Sequence, residues 1–398
     1  MGLLIRNASQ ILTMTRGVGI AKQSSILIEN GVIEKIGSMK SSTGNEVVDA
    51  RGCVVCPGFV DSHTHLVFAG SREDEFAMRI KGVKYETIAR AGGGIASTAQ
   101  DTARATESEL YELAKKRIEK VIRHGTTTVE IKSGYGLMPD VEYKMLRTIK
   151  RLQKHVPIDV VPTFLVHTVP HKMKPAEYVR LAKREMIPYV VKEKLAAFCD
   201  VFCDNIAFNR KESEEILTAA RDCGLKLKIH TDEFANIGGS RLAARMRCVS
   251  ADHLLVSKKS DILAMKEAEV IPTLLPGTSV FLRLAKKPNI KAFRDTRSAI
   301  AIASDFNPGS CMIYSMLKII TLACLAYGMY VEEALIAATK NGAKALGLFD
   351  RIGSIEQGKQ GDLVVLDVDN YKKIPYGFGE DMVKYTIKRG RIIYGKNN

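Results

Sequence analysis

Five histidines and two acids carry the chemistry that this sequence offers. The stretch "DSHTH" at 61 to 65 sets His63 and His65 two residues apart at the end of an apolar run. In an extended strand positions i and i+2 share a face, so both imidazoles point one way and form half of a metal site. For an isolated pair of this kind the alternative is one hydrogen-bonded core histidine and one at a strand end. Further on, His167 lies in "FLVHTV", His230 in "KIHTDEF" and His253 in "SADHLL", so five of the chain's 8 histidines fall at or near the C-terminal end of a β-rich run. Asp305 ends another such run in "ASDFNPGS"; as an isolated residue it would also serve as the N-cap of a following helix. Three imidazoles and a carboxylate around zinc or iron, with one position open for water, are what a metal-dependent hydrolase requires. Glu233, three residues after His230, adds a general base within reach of that water.

Other residues are less committed. Arg72 stands seven residues past His65, where a guanidinium suits a bidentate grip on a substrate carboxylate, the alternative being a loop arginine in solvent. In "KSGYG", Tyr135 sits between two glycines and is expected to expose its hydroxyl on a turn. "AGGGI" at 91 to 95 lacks the lysine and threonine of a phosphate loop and follows no strand, so it reads as a lid or turn. His124 ends a helix before a glycine, and His155 and His171 lie in polar connections.

The elements that must position these residues are legible as runs. Eight are β-rich: "VVCPGFVDSHTH", "TTTVEIK", "DVVPTFLVHTV", "AFCDVFCD", "LKLKIHTDE", "CVSADHLL", "VIPTLLPG" and "AIAIASDFNPG". Helical patterns fall between them. From Thr106 to Arg123, a Thr106/Glu109 capping box precedes an apolar stripe of Leu110, Leu113, Ala114, Ile118, Val121 and Ile122. Eight strands with intervening helices predict an α/β fold of the (β/α)8 TIM-barrel type, with its site at the C-terminal strand ends. The two chain ends read as short strands and turns, with Asn30-Gly31 a hairpin signal and Gly390 another turn, and are expected to pair into one small β-sandwich domain. The expected bounds are 1–55 and 348–398 for that domain and 56–347 for the barrel.

Composition excludes several classes. The 398 residues are 46% hydrophobic and 26% charged, ordinary for a compact protein. A formal net charge of +15 invites a nucleic-acid reading, but the basic residues are scattered over helical segments, so the expectation is no nucleic-acid partner and a surface that draws an anionic small molecule. The amino terminus shows no signal-peptide pattern, and "IITLACLAYGMYV" is too short to span a bilayer, so a cytoplasmic protein without membrane contact is expected. Cys53 and Cys56 have CxxC spacing without a second pair, and the 8 cysteines read as buried reduced thiols.

The motifs "PGFVDSHTHLVFAGSRE", "EIKSGYGL", "IHTDEFANIGG", "SADHL", "TLLPGTSVFLR" and "SDFNPGS" together resemble the amidohydrolase superfamily and, within it, the imidazolonepropionase family over nearly the whole chain. The resemblance implies that His63, His65, His230 and Asp305 bind one zinc or iron ion and that Glu233 and His253 handle protons. It implies that Arg72, Tyr135 and His167 hold the substrate, and that Asn307, Gly309 and Ser310 contact substrate or product. The reaction implied is hydrolytic opening of 4-imidazolone-5-propanoate to N-formimino-L-glutamate, and the superfamily allows a homodimer. Two positions depart from the family pattern: "FLVHTV" is one residue short before His167, and Phe306 replaces a smaller or polar residue, where it is expected to tune packing beneath Asn307. A binuclear centre would need a carboxylated lysine at the end of strand four, which reads "VFCDN"; Lys132 ends strand two instead, which favours one metal. A deaminase of a cyclic amidine or purine would share the ligands but release ammonia, and a non-catalytic barrel would not need Glu233.

Overall fold

The computed structural model describes residues 2–22, 24–39, 44–83 and 93–396. Eight strands form one parallel sheet: β1 Phe59–Asp61, β2 Thr126–Lys132, β3 Asp159–Val166, β4 Phe198–Cys203, β5 Lys226–Thr231, β6 Ser250–His253, β7 Ile271–Leu274 and β8 Ala301–Ile302, each paired with the next in sequence. Every residue of β2 and β4 is buried. Helices cover the outside of the sheet and side chains fill its centre, which is why these runs read as continuous rather than alternating. Sheet edges meet just past β1 and β8, where Thr64 bridges Phe306, the His65 N–H donates to the Phe306 carbonyl at 2.9 Å, and the Asp305 N–H donates to the His63 carbonyl at 3.0 Å. The closing seam thus carries three of the chemically loaded residues.

The first β-rich run is not one barrel strand. Val54–Pro57 belongs to an outer sheet and only Phe59–Asp61 enters the barrel. Between them, a Cβ on Gly58 would lie 2.3 Å from the Thr127 side chain, so the chain changes sheet at a point that only glycine fits.

Both chain ends build the small domain. Its four-stranded sheet runs Val32–Gly37, Ser24–Glu29, Leu3–Ala8, Glu46–Asp49, and its six-stranded sheet runs Arg391–Gly395, Val383–Lys388, Leu363–Leu366, Val54–Pro57, Gln10–Leu12, Ile20–Ala21. Leu3, Ile5, Ile26 and Ile28 share one apolar core with Leu363, Val365 and Ile387. The hairpin at Asn30-Gly31 has φ of 50° and 82°, the left-handed pair that a two-residue turn needs. Arg389 and Gly390, at φ of 48° and 70°, make the second.

The Glu107–Arg123 helix begins with the full Thr106/Glu109 capping box. Its buried stripe takes Tyr111 in place of Leu113, which is 37% exposed because it lies one residue off the covered face. His155 is the last residue of the Pro139–His155 helix rather than part of a connection. Cys53 and Cys56 are buried free thiols, and no helix among the described residues is long and apolar enough to cross a membrane.

Candidate metal centre and active site

The C-terminal strand ends gather the predicted histidines. His63 and His65 follow β1, His167 follows β3, His230 lies in β5 and His253 ends β6. Ring centroids of His63 lie 5.4 Å from His65, 4.4 Å from His230 and 5.7 Å from His253. Asp305 Oδ1 is 3.5 Å from Nε2 of both His63 and His65. Two trios share His63: its ligating atoms come within 4.8 Å of those of His65 and Asp305, and likewise of those of His230 and His253. No helix starts at Asp305, so its capping alternative falls away; the next begins at Met316.

Nitrogens in this cluster are buried without a hydrogen-bond partner: Nε2 of His63, Nδ1 of His65 and both nitrogens of His230. An unpaired buried polar atom costs about 1–3 kcal/mol, and orphaned imidazoles on three neighbouring rings fit a ligand set for a cation. Burial pulls the pKa of His65 down, that of His230 well down and that of His253 to about 4, leaving neutral imidazoles with lone pairs to give. For His63 burial and Lys132 pull the same way, but Asp252 and Asp305 outweigh them and raise it. Burial would raise the Asp305 carboxyl, yet the close approach of the His63 and His65 rings holds it well below the usual carboxylate range. Asp232, His253 and Asp305 all take left-handed backbone, with φ of 55°, 82° and 51°, strain of a kind that collects at functional sites.

Beneath the imidazoles lies a layer of charge that sequence reading missed. Lys132 Nζ is 2.6 Å from Asp200, 3.1 Å from Glu130 and 3.4 Å from Asp252, while Lys228 Nζ is 2.6 Å from Glu130; all five side chains are fully buried. Burial alone would lower the Lys132 pKa, but the carboxylates of Asp200, Glu130 and Asp252 raise it. Lys132 thus sits as a cation among three carboxylates in the floor of the site. The available signal was an ionisable residue inside otherwise apolar runs, in "TTTVEIK", "AFCDVFCD" and "LKLKIH".

Glu233 follows β5 and is buried, with Oε2 3.4 Å from His253 Nδ1. Burial, then the nearby carboxylates of Asp305 and Asp204, push its pKa well above the ordinary range. Its loop hangs on Asp204, whose Oδ2 accepts the N–H groups of Glu233 at 3.0 Å and Phe234 at 3.1 Å. Asp204 too went unread in the sequence.

On the other side stand Tyr135, His167 and Arg72. Tyr135 is 3% exposed, contrary to the expected open hydroxyl. The turn folds inward because Glu142 accepts the N–H groups of Gly134, Gly136 and Leu137 at 2.9, 2.7 and 2.8 Å. Its ring lies 5.6 Å from His65 and 5.7 Å from His167. The short connection still stacks His167 at 6.0 Å from His65, with Nδ1 3.2 Å from the Gly134 carbonyl. Arg72 is 8% exposed, not a solvent-facing arginine. Its Nε and one terminal nitrogen donate to Glu75 Oε2 at 3.0 and 2.8 Å. The other lies where a Cβ on Gly309 would come within 2.2 Å.

Asn307 spends its amide inside its own turn, accepting from the N–H groups of Gly309 and Ser310 at 2.8 Å each and donating to the Asp305 carbonyl at 2.7 Å. Ser310 Oγ lies 3.4 Å from Asp305 Oδ2, which also accepts from Thr278 at 2.6 Å. Phe306 packs between Phe68 and Tyr314. Of "AGGGI", Ala91 and Gly92 fall outside the described residues, while the Gly94 N–H donates to Glu75 at 2.9 Å.

Known proteins agree with this architecture. The model of the amidohydrolase family matches residues 54–393. The chain is 42% identical to the imidazolonepropionase of Clostridium tetani, covering 99% of both chains, and 42% identical to that of Geobacillus kaustophilus, covering 98% of this chain and 97% of the other. Among solved structures it is similar to a triazine hydrolase from Arthobacter aurescens, at a TM-score of 0.74 and 15% identity over 99% of this chain and 95% of the other. A Xaa-Pro dipeptidase matches at a TM-score of 0.73 and 18% identity over 99% and 100%. Those structures share the fold, and the sequence relatives narrow the group: the chain belongs to the amidohydrolase family and, within it, to the imidazolonepropionases.

Proposed function

We propose that this chain hydrolyses 4-imidazolone-5-propanoate, opening its ring to N-formimino-L-glutamate. The reading rests on one arrangement: a His/Asp ligand cluster with a buried carboxyl–imidazole pair, Glu233 and His253, beside it and a buried cation, Arg72, at the same mouth. His63, His65, His230 and Asp305 would hold one zinc or iron ion, which when bound lowers the pKa of a water and polarises an amide carbonyl.

The chain's own groups do the rest. Arg72, Tyr135 and His167 orient the ring by its propanoate arm, which places the ring amide over the ligand cluster. Glu233 takes a proton from the attacking water and returns it to the departing ring nitrogen; burial raises its pKa, which helps it hold the proton between the two transfers. Once protonated, Glu233 donates to His253 Nδ1, so the imidazole carries its own proton on Nε2, free to hydrogen-bond the oxyanion. The formal charge of +15 favours capture of an anionic substrate.

The test is incubation of the purified full chain with freshly made imidazolone propanoate, following ring absorbance, ammonia release and metal content together. Ring loss without ammonia, abolished by chelation and restored by zinc or iron, is the expected result. Fully metallated protein that leaves the ring intact but releases ammonia from cyclic amidines or purines would move the chain to deamination.

A further inference from the structure

Of the buried carboxylates under the histidines, Asp252 is the one hydrogen-bonded to His63. It lies in β6, and its backbone is the cross-strand neighbour of His230 in β5. One carboxylate oxygen, Oδ1, accepts from Ser250 Oγ at 2.7 Å. The other, Oδ2, lies 2.7 Å from His63 Nδ1 and 3.4 Å from Lys132 Nζ. Both oxygens are therefore committed within the protein, and Asp252 is not itself a spare ligand. The opposite nitrogen of the same ring, His63 Nε2, is the buried atom without a partner. His230 is less well held: Asp200 Oδ2 is 3.0 Å from its Nδ1 but off the N–H direction, and that nitrogen makes no hydrogen bond.

We propose that Asp252 is the positioning residue of the metal centre. It accepts the Nδ1–H of His63, fixes that tautomer and aims Nε2 at the ion. The inference rests on the metal-centre reading above. Lys132 Nζ, 3.4 Å from the same Oδ2, and Ser250 on Oδ1 hold the carboxylate in place facing His63, and an acceptor fixed there strengthens the ring as a donor. Lys228 supports the same ring through the backbone, donating to the Ser62 carbonyl at 3.1 Å, one residue before His63. A third group of ligand-type atoms, Asp200, His230 and Asp252, lies within the same reach, but Oδ2 of Asp252 is already taken by His63 Nδ1 at 2.7 Å.

Zinc affinity of the full chain, measured by competition with a chromophoric chelator, tests this without turnover. The parent should bind one zinc per chain. Asp252→Ala should weaken zinc by about 10- to 100-fold at unchanged stoichiometry. Asp252→Asn, which keeps an acceptor oxygen but not the charge, should fall between the two. Because a buried aspartate variant can fail to fold, the zinc-loaded parent is also crystallised, and there His63 must ligate through Nε2 with Nδ1 still on Asp252. Folded Asp252→Ala binding zinc as tightly as the parent, or His63 ligating through Nδ1, overturns the proposal. A parent that binds no zinc or iron overturns the metal-centre reading itself, a different failure.

Discussion

Glu233 and Arg72 are both buried at the mouth, and each is held by a different acid. Glu233 stays free of strong cations, so burial raises its pKa and leaves it as a base with somewhere to put a proton. Glu233→Gln should therefore retain metal at the parent's level and lose about 10²- to 10⁴-fold in kcat; parent-like turnover at normal metal content would remove it from the proton path. Arg72 works through its fork, two nitrogens on Glu75 and a third facing the Gly309 turn. Lysine keeps the charge but cannot bridge both directions. Arg72→Lys should lower kcat/KM by about 10- to 100-fold, chiefly through KM, and should lose less against a substrate whose propanoate is esterified. An unchanged KM would mean that the carboxylate is gripped elsewhere.

At the scale of elements, the turn after β2 shows how a remote residue sets a site. Three N–H groups of the Gly134–Leu137 turn end on one carboxylate, Glu142, in the first turn of the next helix. Gly136 packs so closely there that a Cβ would sit 2.4 Å from the Glu142 nitrogen. Glu142→Ala should strand the three donors and cost about 3 kcal/mol or more, read as a lower urea midpoint, with KM rising as Tyr135 loses its seat; an unchanged midpoint would show that water or neighbours take over those bonds. This is also where sequence reading stops. Strand runs and histidines at their ends are legible because both follow from local pattern: buried strands are mostly apolar, and the histidines stand where those runs end. Tyr135 is misread as exposed because its burial depends on an acid seven residues away. Asp200, Asp252 and Lys228 go unread because their partners lie on other strands, brought together only by barrel closure. At Gly58 the switch between sheets is hidden for a related reason, since the close approach of Thr127 is a tertiary fact.

The whole molecule buries many ionisable groups, and the sign of that burial is measurable. In the metal-free chain burial lowers His253 to about 4 and His167 to about 3, against an ordinary 6.5. The unfolded chain then binds more protons than the folded one between those limits, so these two histidines favour folding above pH 6.5 and lose that contribution as pH falls. His63, whose pKa is raised, works in the opposite sense: its contribution is present below 6.5 and fades as pH rises; that of the buried Asp61, pushed from 3.8 up to about 6, is present below 3.8 and fades by about pH 6. Total stability mixes these signs, whereas a difference against one variant does not. Comparing urea midpoints of chelator-treated parent and His253→Asn between pH 7 and pH 4.5 isolates the His253 contribution. The parent should lose more stability than the variant on acidification, by about 3 kcal/mol at most. Parallel losses in parent and variant would mean that the His253 ring takes up its proton inside the folded barrel as readily as in water, and that the cluster is more open to solvent than its burial indicates.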